Sequence, residues 1–229
     1  MALILCIESS SKNCSIALAD KGKVLESVDF NDGNFSHAEK LHVFIEEVCK
    51  KADKTMKDLD AIAVSKGPGS YTGLRIGVST AKGLAYGLNI PILSVESLEV
   101  LTRTFCLENT IAKNALLIPM MDARRMEVYT CQFDLEIEKV SETRALILEA
   151  DSFEEELKNN TCYFFGDGAL KSEALYKAEK SHFSPELYPS AKAMAQCSYK
   201  SYLNEQFEDV AYFEPYYLKD FVDGMKPKA

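Results

Sequence analysis

Residues 3–30 read LILCIESSSKNCSIALADKGKVLESVDF, the most informative part of the chain for its architecture. Apolar residues dominate 3–8, and small or polar residues alternate with apolar ones in 14–19, a pattern typical of buried or half-buried strands. The sequence DKGK (20–23) separates 14–19 from 24–30 and is typical of a tight hairpin turn, because glycine readily adopts a positive φ. The stretch therefore predicts a three-stranded meander.

Helices and strands follow the meander, and the same order begins again in the second half. The elements predicted for the rest of the first half are helices at 36–52, 73–88 and 96–106 and strands at 60–65 and 91–95. Those predicted for the second half are strands at 115–121, 126–133, 139–148 and 161–165 and helices at 151–158, 168–179 and 190–204. Strand–turn–strand–turn–strand–helix thus occurs twice. We predict an α/β fold of two duplicated lobes, 1–110 and 111–229, with a cleft between them.

Composition and charge limit the classes of function. The chain has 229 residues, of which 47% are hydrophobic and 27% charged, and this composition excludes intrinsic disorder for most of it. Its net charge of −9 argues against tight binding of a nucleic-acid backbone, since affinity for the backbone phosphates comes largely from Lys and Arg. Seven cysteines without a C-x-x-C pair indicate free thiols, and no basic leader or membrane-length apolar run appears. We expect a cytoplasmic protein.

The most distinctive motif is the glycine loop KGPGSYTG (66–73), between a predicted strand and a predicted helix. It matches neither the P-loop nor the dinucleotide-binding spacing, although backbone N–H groups at such a place can bind an anion. Capping of the helix by Ser70 or Thr72 is the slightly favoured alternative. The helix itself carries Gly73, Gly77, Gly83 and Gly87, and this predicts close approach of another backbone, from the chain's own sheet or from another subunit.

Other candidate groups are few. Glu8 and Asp122 end matching strands of the two lobes, so they could face a magnesium-bound phosphate, although turn-capping is the commoner role of such acids. Arg124 and Arg125 could contact phosphate or be merely solvated. No metal site is expected, because His37 and His42 do not share a helix face. No G-x-S-x-G nucleophile elbow occurs either.

Four segments resemble the TsaB (YeaZ) family: IESS (7–10), GPGSYTGLRIG (67–77), DARRMEVY (122–129) and PYYLK (215–219). The resemblance implies two duplicated actin-like lobes of the sugar-kinase and Hsp70-type ATPase class, each a mixed sheet with helices. It also implies a role in forming threonylcarbamoyladenosine next to the anticodon of tRNAs that read A-starting codons. In that pathway TsaD is the transferase and TsaE a supporting ATPase, and a TsaB protein binds and activates TsaD without being the transferase.

The resemblance further implies that the helices at 36–52 and 73–88 bind TsaD. The predicted contact residues are Leu41, Phe44, Ile45, Val48, Ile76, Thr80, Gly83 and Gly87. Without TsaD the same face is expected to form a weaker homodimer. TsaE is expected in the complex, and tRNA only indirectly through TsaD.

The same family comparison predicts no catalytic residue and no metal ligand in this chain. The two metal-binding histidines of TsaD fall on Ser97 and Leu101, which are unsuited to a transition metal. Glu8 stands where the family usually has aspartate and keeps the charge. The chain is expected to have no cofactor of its own. Gly69, Ser70 and Arg75 are the candidate residues for ATP or ADP bound at the junction with TsaD.

Two alternative functions stay open at this point. One is a small-molecule kinase or ATPase of the same fold that uses Glu8 and Asp122 with magnesium. The other is a peptidase, although the sequence has no identifiable nucleophile–base pair.

Overall fold

The computed structural model describes residues 2–33 and 37–219. Its strands are β1 (Leu3–Glu8), β2 (Cys14–Asp20), β3 (Lys23–Phe30), β4 (Ala61–Gly67), β5 (Ile92–Glu96), β6 (Ala115–Asp122), β7 (Glu127–Thr130), β8 (Arg144–Ile147), β9 (Thr161–Phe165) and β10 (Ser181–Ser184). Its α-helices are α1 (His37–Lys51), α2 (Tyr71–Leu88), α3 (Ser97–Glu108), α4 (Glu154–Asn159), α5 (Glu173–Tyr176) and α6 (Ala195–Leu203). Short 3₁₀ turns lie at Met56–Asp58, Ala169–Lys171 and Ala191–Met194.

The strands form two sheets with the same topology. The first has the order β3-β2-β1-β4-β5 and the second the order β8-β7-β6-β9-β10. In both, the first three strands along the chain form an antiparallel meander and the next two add in parallel. The predicted repetition of elements is thus confirmed at the level of strand order.

Helices cover both faces of the first sheet. Alternate residues of β1 point to opposite sides because the side-chain period of a strand is two. Leu5 and Ile7 pack in one apolar cluster with the buried residues of α1 and α2. Ile4 and Cys6 pack in a second cluster on the other side, where the Ala191–Met194 turn and α6 lie.

Helix α3 lies between the two sheets. Val100 packs with residues of the first sheet, whereas Leu101 and Phe105 pack with residues of the second. The Phe105 ring stacks on that of Phe165 in β9, with ring centroids 4.2 Å apart. A further apolar cluster on the opposite face of the second sheet includes Phe164.

The structure differs from the sequence prediction in several places of the second half. The predicted strands 126–133 and 139–148 are shortened to β7 and β8. The predicted helix 168–179 is reduced to the Ala169–Lys171 turn and α5, and β10 follows it without having been predicted. The predicted helix 190–204 forms as a 3₁₀ turn and α6, which pack on the first sheet. The lobe bounds 1–110 and 111–229 remain a prediction. Met1, residues 220–229 and Ser36, the predicted start of α1, lie outside the described residues.

A polar network holds the returning segment against the first meander. The Asp29 carboxylate accepts a hydrogen bond from the Ser190 hydroxyl (2.7 Å) and pairs with Lys192 (2.9 Å). Asn13 donates to Asp29 and to the carbonyl of Pro189, and the amide of Ala191 donates to the Ser15 hydroxyl. Burial acts to raise the pKa of Asp29, but hydrogen bonds, chiefly from Lys192, outweigh it and lower the pKa.

Candidate functional site

The glycine loop packs directly against the turn that follows β1. The amide of Ser70 donates to the carbonyl of Ser10 at 2.7 Å. The Ser70 hydroxyl accepts from the amide of Gly73 at 3.2 Å and caps α2, as the favoured interpretation of the loop predicted. A Cβ on Gly69 would lie 2.3 Å from the Ser10 carbonyl oxygen. The part of the loop at Gly69 and Ser70 therefore lies directly against the turn of residues 9–11, called here the serine turn, and the Ser70 amide is not free to bind a phosphate.

The first two glycines of α2 serve this internal contact. A Cβ on Gly73 would lie 2.1 Å from the carbonyl oxygen of Ser9, and one on Gly77 would lie 2.1 Å from the Ser9 hydroxyl oxygen. The Ser9 hydroxyl donates to the carbonyl of Gly73 at 2.9 Å. Gly73 and Gly77 therefore allow a close approach within the chain itself, Gly73 to the Ser9 backbone and Gly77 to the Ser9 side chain.

The Glu8 carboxyl is buried and bound to the same serine turn. Glu8 is fully buried, and its Oε1 accepts hydrogen bonds from the amide (2.7 Å) and the hydroxyl (2.6 Å) of Ser10. Its Oε2 has no hydrogen-bond partner among the described residues. Burial raises the pKa of Glu8 from its ordinary 4.5 to about 7, against the opposing effect of the Ser10 hydrogen bonds.

Asp122 lies in a different environment. Its carboxylate pairs with Lys171 and accepts a hydrogen bond from the amide of Arg124 at 2.7 Å. No hydrogen bond or ion pair in the described part of the chain links it to Glu8, which is shielded from solvent. No group of three or more His, Cys, Asp or Glu residues within 2–33 and 37–219 has the arrangement of a metal site. The kinase alternative requires two accessible carboxylates, and the fully buried Glu8 does not meet that requirement.

Arg75, the third residue predicted to bind a nucleotide, contacts two tyrosines. Its guanidinium lies over the Tyr71 ring, 4.2 Å from the centroid, and its Nε donates to the Tyr217 hydroxyl at 3.2 Å. It borders a groove of about 310 Å³ lined by α2 and by residues 213–217. Gly69 and Ser70 do not line that groove.

The apolar stripe of α1 faces the chain's own core. The four α1 residues predicted to contact a partner are buried, and they pack with β1, β2 and β4: Leu41, Phe44, Ile45 and Val48. This corrects the sequence interpretation, because an apolar helical stripe indicates burial without identifying the covering surface. The exposed large apolar residue of α1 is Val43, 47% accessible.

The outer face of α2 is open. No atom of the described residues beyond the helix itself lies within 4 Å of the Cβ position of Gly83 or Gly87. Tyr86, between them in the sequence, is 84% exposed, and Ile76 and Thr80 are half-buried. The second pair of glycines is therefore free of the internal contact that explains Gly73 and Gly77.

A C-terminal strap, residues 209–219, runs along the flank of α2. The Lys82 ammonium donates to the carbonyls of Ala211 (3.0 Å) and Phe213 (2.9 Å). The Tyr216 amide donates to the carbonyl of Lys66 at 2.7 Å, and the Tyr217 ring lies 4.7 Å from that of Tyr71. Sequence reasoning missed this strap, although the aromatic run PYYL (215–218) after the last helix was a signal for it.

The positions that correspond by resemblance to the metal histidines of TsaD are both buried. Leu101 packs in the cluster between α3 and the second sheet, and Ser97 begins α3. None of the helices in the described part of the chain has both the length and the apolar character of a membrane span.

Residues 33–220 match the family model described as "TsaD: tRNA N6-adenosine threonylcarbamoyltransferase". A Buchnera aphidicola (subsp. Schizaphis graminum) protein named tRNA threonylcarbamoyladenosine biosynthesis protein TsaB is 30% identical over 196 residues, which cover 83% of this chain and 90% of that protein. The Bacillus subtilis protein of the same name is 40% identical over 128 residues, 56% of this chain, and the chain spans about half (53%) of its length.

The fold is also that of solved structures. The YeaZ structure from Pseudomonas aeruginosa superposes with a TM-score of 0.80 at 23% identity, and the match covers 95% of this chain and all of that one. The predicted fold of two duplicated actin-like lobes is confirmed by this likeness together with the repeated sheet topology.

Proposed function

Since the chain belongs to the family that the TsaD model describes and, within it, to the TsaB proteins, we propose that it acts in tRNA threonylcarbamoyladenosine biosynthesis as a non-catalytic subunit that binds and activates TsaD. TsaD then modifies the adenosine next to the anticodon of tRNAs that read A-starting codons. The observation that carries the proposal is the open outer face of α2, where Gly83 and Gly87 leave room for another helix.

The proposed interface is revised from the one that sequence predicted. Gly83 and Gly87 remain in it because they face open space, and the half-buried Ile76 and Thr80 remain as predicted contacts, although Ile76 also packs against the chain's own core. The exposed side chains of Tyr86 and Val43 join them and replace the buried stripe of α1. Aromatic residues are enriched at protein interfaces, and small residues allow helices to approach closely. The same face would support the weaker homodimer when TsaD is absent.

The packing of the glycine loop and the burial of Glu8 support the non-catalytic part of the proposal. The serine turn packs against the glycine loop, and Glu8 is fully buried. The metal ligands of the TsaD transferases are histidines. By the resemblance, Ser97 and Leu101 stand at the corresponding positions of this chain. TsaE in the complex, and ATP or ADP at the junction with TsaD, remain proposals. For the nucleotide, Arg75 is the candidate on the α2 side, since Gly69 and Ser70 contact Ser10.

Binding to TsaD is expected to depend on the room at Gly83. Gly83→Trp places a large side chain on the open face and should weaken TsaD binding by about 100-fold, the effect of losing a central contact. Gly83→Ala is the matched control and should bind as the wild type does. The measurement is isothermal titration of TsaD with each variant, with circular dichroism to show that both are folded. Equal binding by Gly83→Trp and the wild type would exclude this face.

A further inference from the structure

The turn between β6 and β7 presents two adjacent arginines in an unusual backbone conformation. Arg124 and Arg125 have φ values of 71° and 50°, in the left-handed region that favours glycine or asparagine. Both residues are exposed. Arginine at two such positions is locally unfavourable, and strained non-glycine residues cluster at functional sites. The turn is therefore a candidate ligand-binding site.

Neither guanidinium has a hydrogen bond or an ion pair within the described residues. Acids are close, because Asp122 and Glu127 flank the turn. Each of them is already paired with a lysine, Asp122 with Lys171 and Glu127 with Lys219. A third acid, Asp167, accepts a hydrogen bond from the Asp122 amide at 2.9 Å, and neither arginine forms an ion pair with any of the three acids.

Of the three other arginines, two are engaged by neighbouring side chains, whereas Arg144 in β8 is exposed and its guanidinium has no hydrogen bond or ion pair within the described residues. Arg75 bonds the Tyr217 hydroxyl, and Arg103 pairs with Glu99 at 2.8 Å. Arginine's planar fork of donors fits the oxygens of a phosphate or carboxylate in a bidentate manner. Two neighbouring guanidinium groups without a partner among the described residues therefore fit a ligand that carries more than one phosphate or carboxylate.

The strap connects this turn to the proposed partner face. Tyr217 contacts Arg75 near the start of α2, and two residues later Lys219 pairs with Glu127 in β7. The arginine turn thus lies at the end of the strap that leads away from α2. A nucleic acid held by a protein docked on α2 could reach it.

We propose that the Arg124–Arg125 turn binds phosphates of the tRNA backbone while TsaD holds the modified nucleotide. The proposal rests on the function proposed above and adds a direct RNA contact to it. The acidic composition predicted tRNA contact only through TsaD, but net charge is a property of the whole chain, and affinity for phosphate depends on the local cations. A contact of this kind orients the RNA without reading its sequence.

The test is the double variant Arg124→Gln/Arg125→Gln, with Lys177→Gln/Lys180→Gln as a matched control. The control removes two exposed positive charges elsewhere on the second lobe. Binding of one unmodified tRNA transcript is measured for the chain alone at low salt and for its complex with TsaD at about 50 and 150 mM salt. The arginine variant is expected to bind the transcript about tenfold more weakly in both settings, with a salt slope lower by about 2. The lysine control should bind as the wild type does.

Titration of TsaD with the same variants separates the alternatives. Retained TsaD affinity together with weakened tRNA binding supports the RNA contact. Wild-type tRNA affinity and salt slope in the arginine variant would overturn it. Loss of TsaD affinity would also overturn it, because the arginines would then contact an acidic protein surface. If the wild-type chain does not bind TsaD, the proposed function fails, and the chain-alone measurement still decides the RNA contact.

Discussion

Gly73→Ala is expected to lower the melting temperature by roughly 6 to 12 °C, which corresponds to about 3 kcal/mol for a chain of this size. The added methyl carbon would lie 2.1 Å from the carbonyl oxygen of Ser9, and backbone cannot move aside as a flexible side chain can. The Ser9 turn or α2 must shift, and either shift disturbs the cap from Ser70 and the bond from Ser9 to Gly73. Thermal unfolding followed by circular dichroism measures the effect.

Gly83→Ala in the same helix is the control for Gly73→Ala. Its Cβ meets open space, and alanine is favoured over glycine in a helix by about 1 kcal/mol, so this variant should melt at or above the wild-type temperature. A Gly73→Ala protein that melts with the wild type would show that the serine turn does not press on α2 in solution.

Glu8→Gln is expected to remove a large pH dependence of stability. The pKa of Glu8 is raised from 4.5 to about 7 in the folded protein, so the folded state holds the proton more tightly than the unfolded state does. This stabilisation is fully present below pH 4.5 and is lost as the pH rises through about 7. At about 1.4 kcal/mol per pH unit, the loss is about 3 kcal/mol. Glutamine carries no titratable proton, so Glu8→Gln does not lose stability in this way as the pH rises.

The measurement is the free energy of unfolding in urea for both proteins between about pH 5 and pH 8. The stability of Glu8→Gln relative to the wild type should increase by about 2.5 kcal/mol across this range, since part of the change lies below pH 5. Glu46→Gln, which changes an exposed carboxylate of α1, serves as the control and should show no such trend. A Glu8→Gln difference that stays constant with pH would mean that the Glu8 carboxyl titrates as an exposed one does.

The first sheet was predictable because its signals are local. The meander 3–30, the strand before the glycine loop and the Ser70 cap follow from alternation, turn residues and capping chemistry, and each lies within one or two residues of the prediction. The second lobe was less predictable. At 168–179 the Ser172 hydroxyl bonds back to the carbonyl of Ala169 at 2.7 Å, which favours a turn over a continuous helix.

The partner of an apolar face could not be read from the sequence. The stripe through Phe44 and the small residues of α2 give the same pattern whether the chain's own sheet or another protein covers them. The structure divides the α2 glycines into a buried pair, Gly73 and Gly77, and an open pair, Gly83 and Gly87. Likewise, the return of α6 to the first sheet depends on contacts between residues far apart in the chain.

The central claim is tested most directly by reconstituting the modification of an unmodified tRNA that reads an A-starting codon. TsaE and ATP are supplied throughout, and the product is measured with this chain alone, with TsaD alone and with both together. The account predicts threonylcarbamoyladenosine only when both proteins are present, and its loss when Gly83→Trp replaces the wild-type chain. Modification by this chain alone, or equal modification by TsaD without it, would contradict the account.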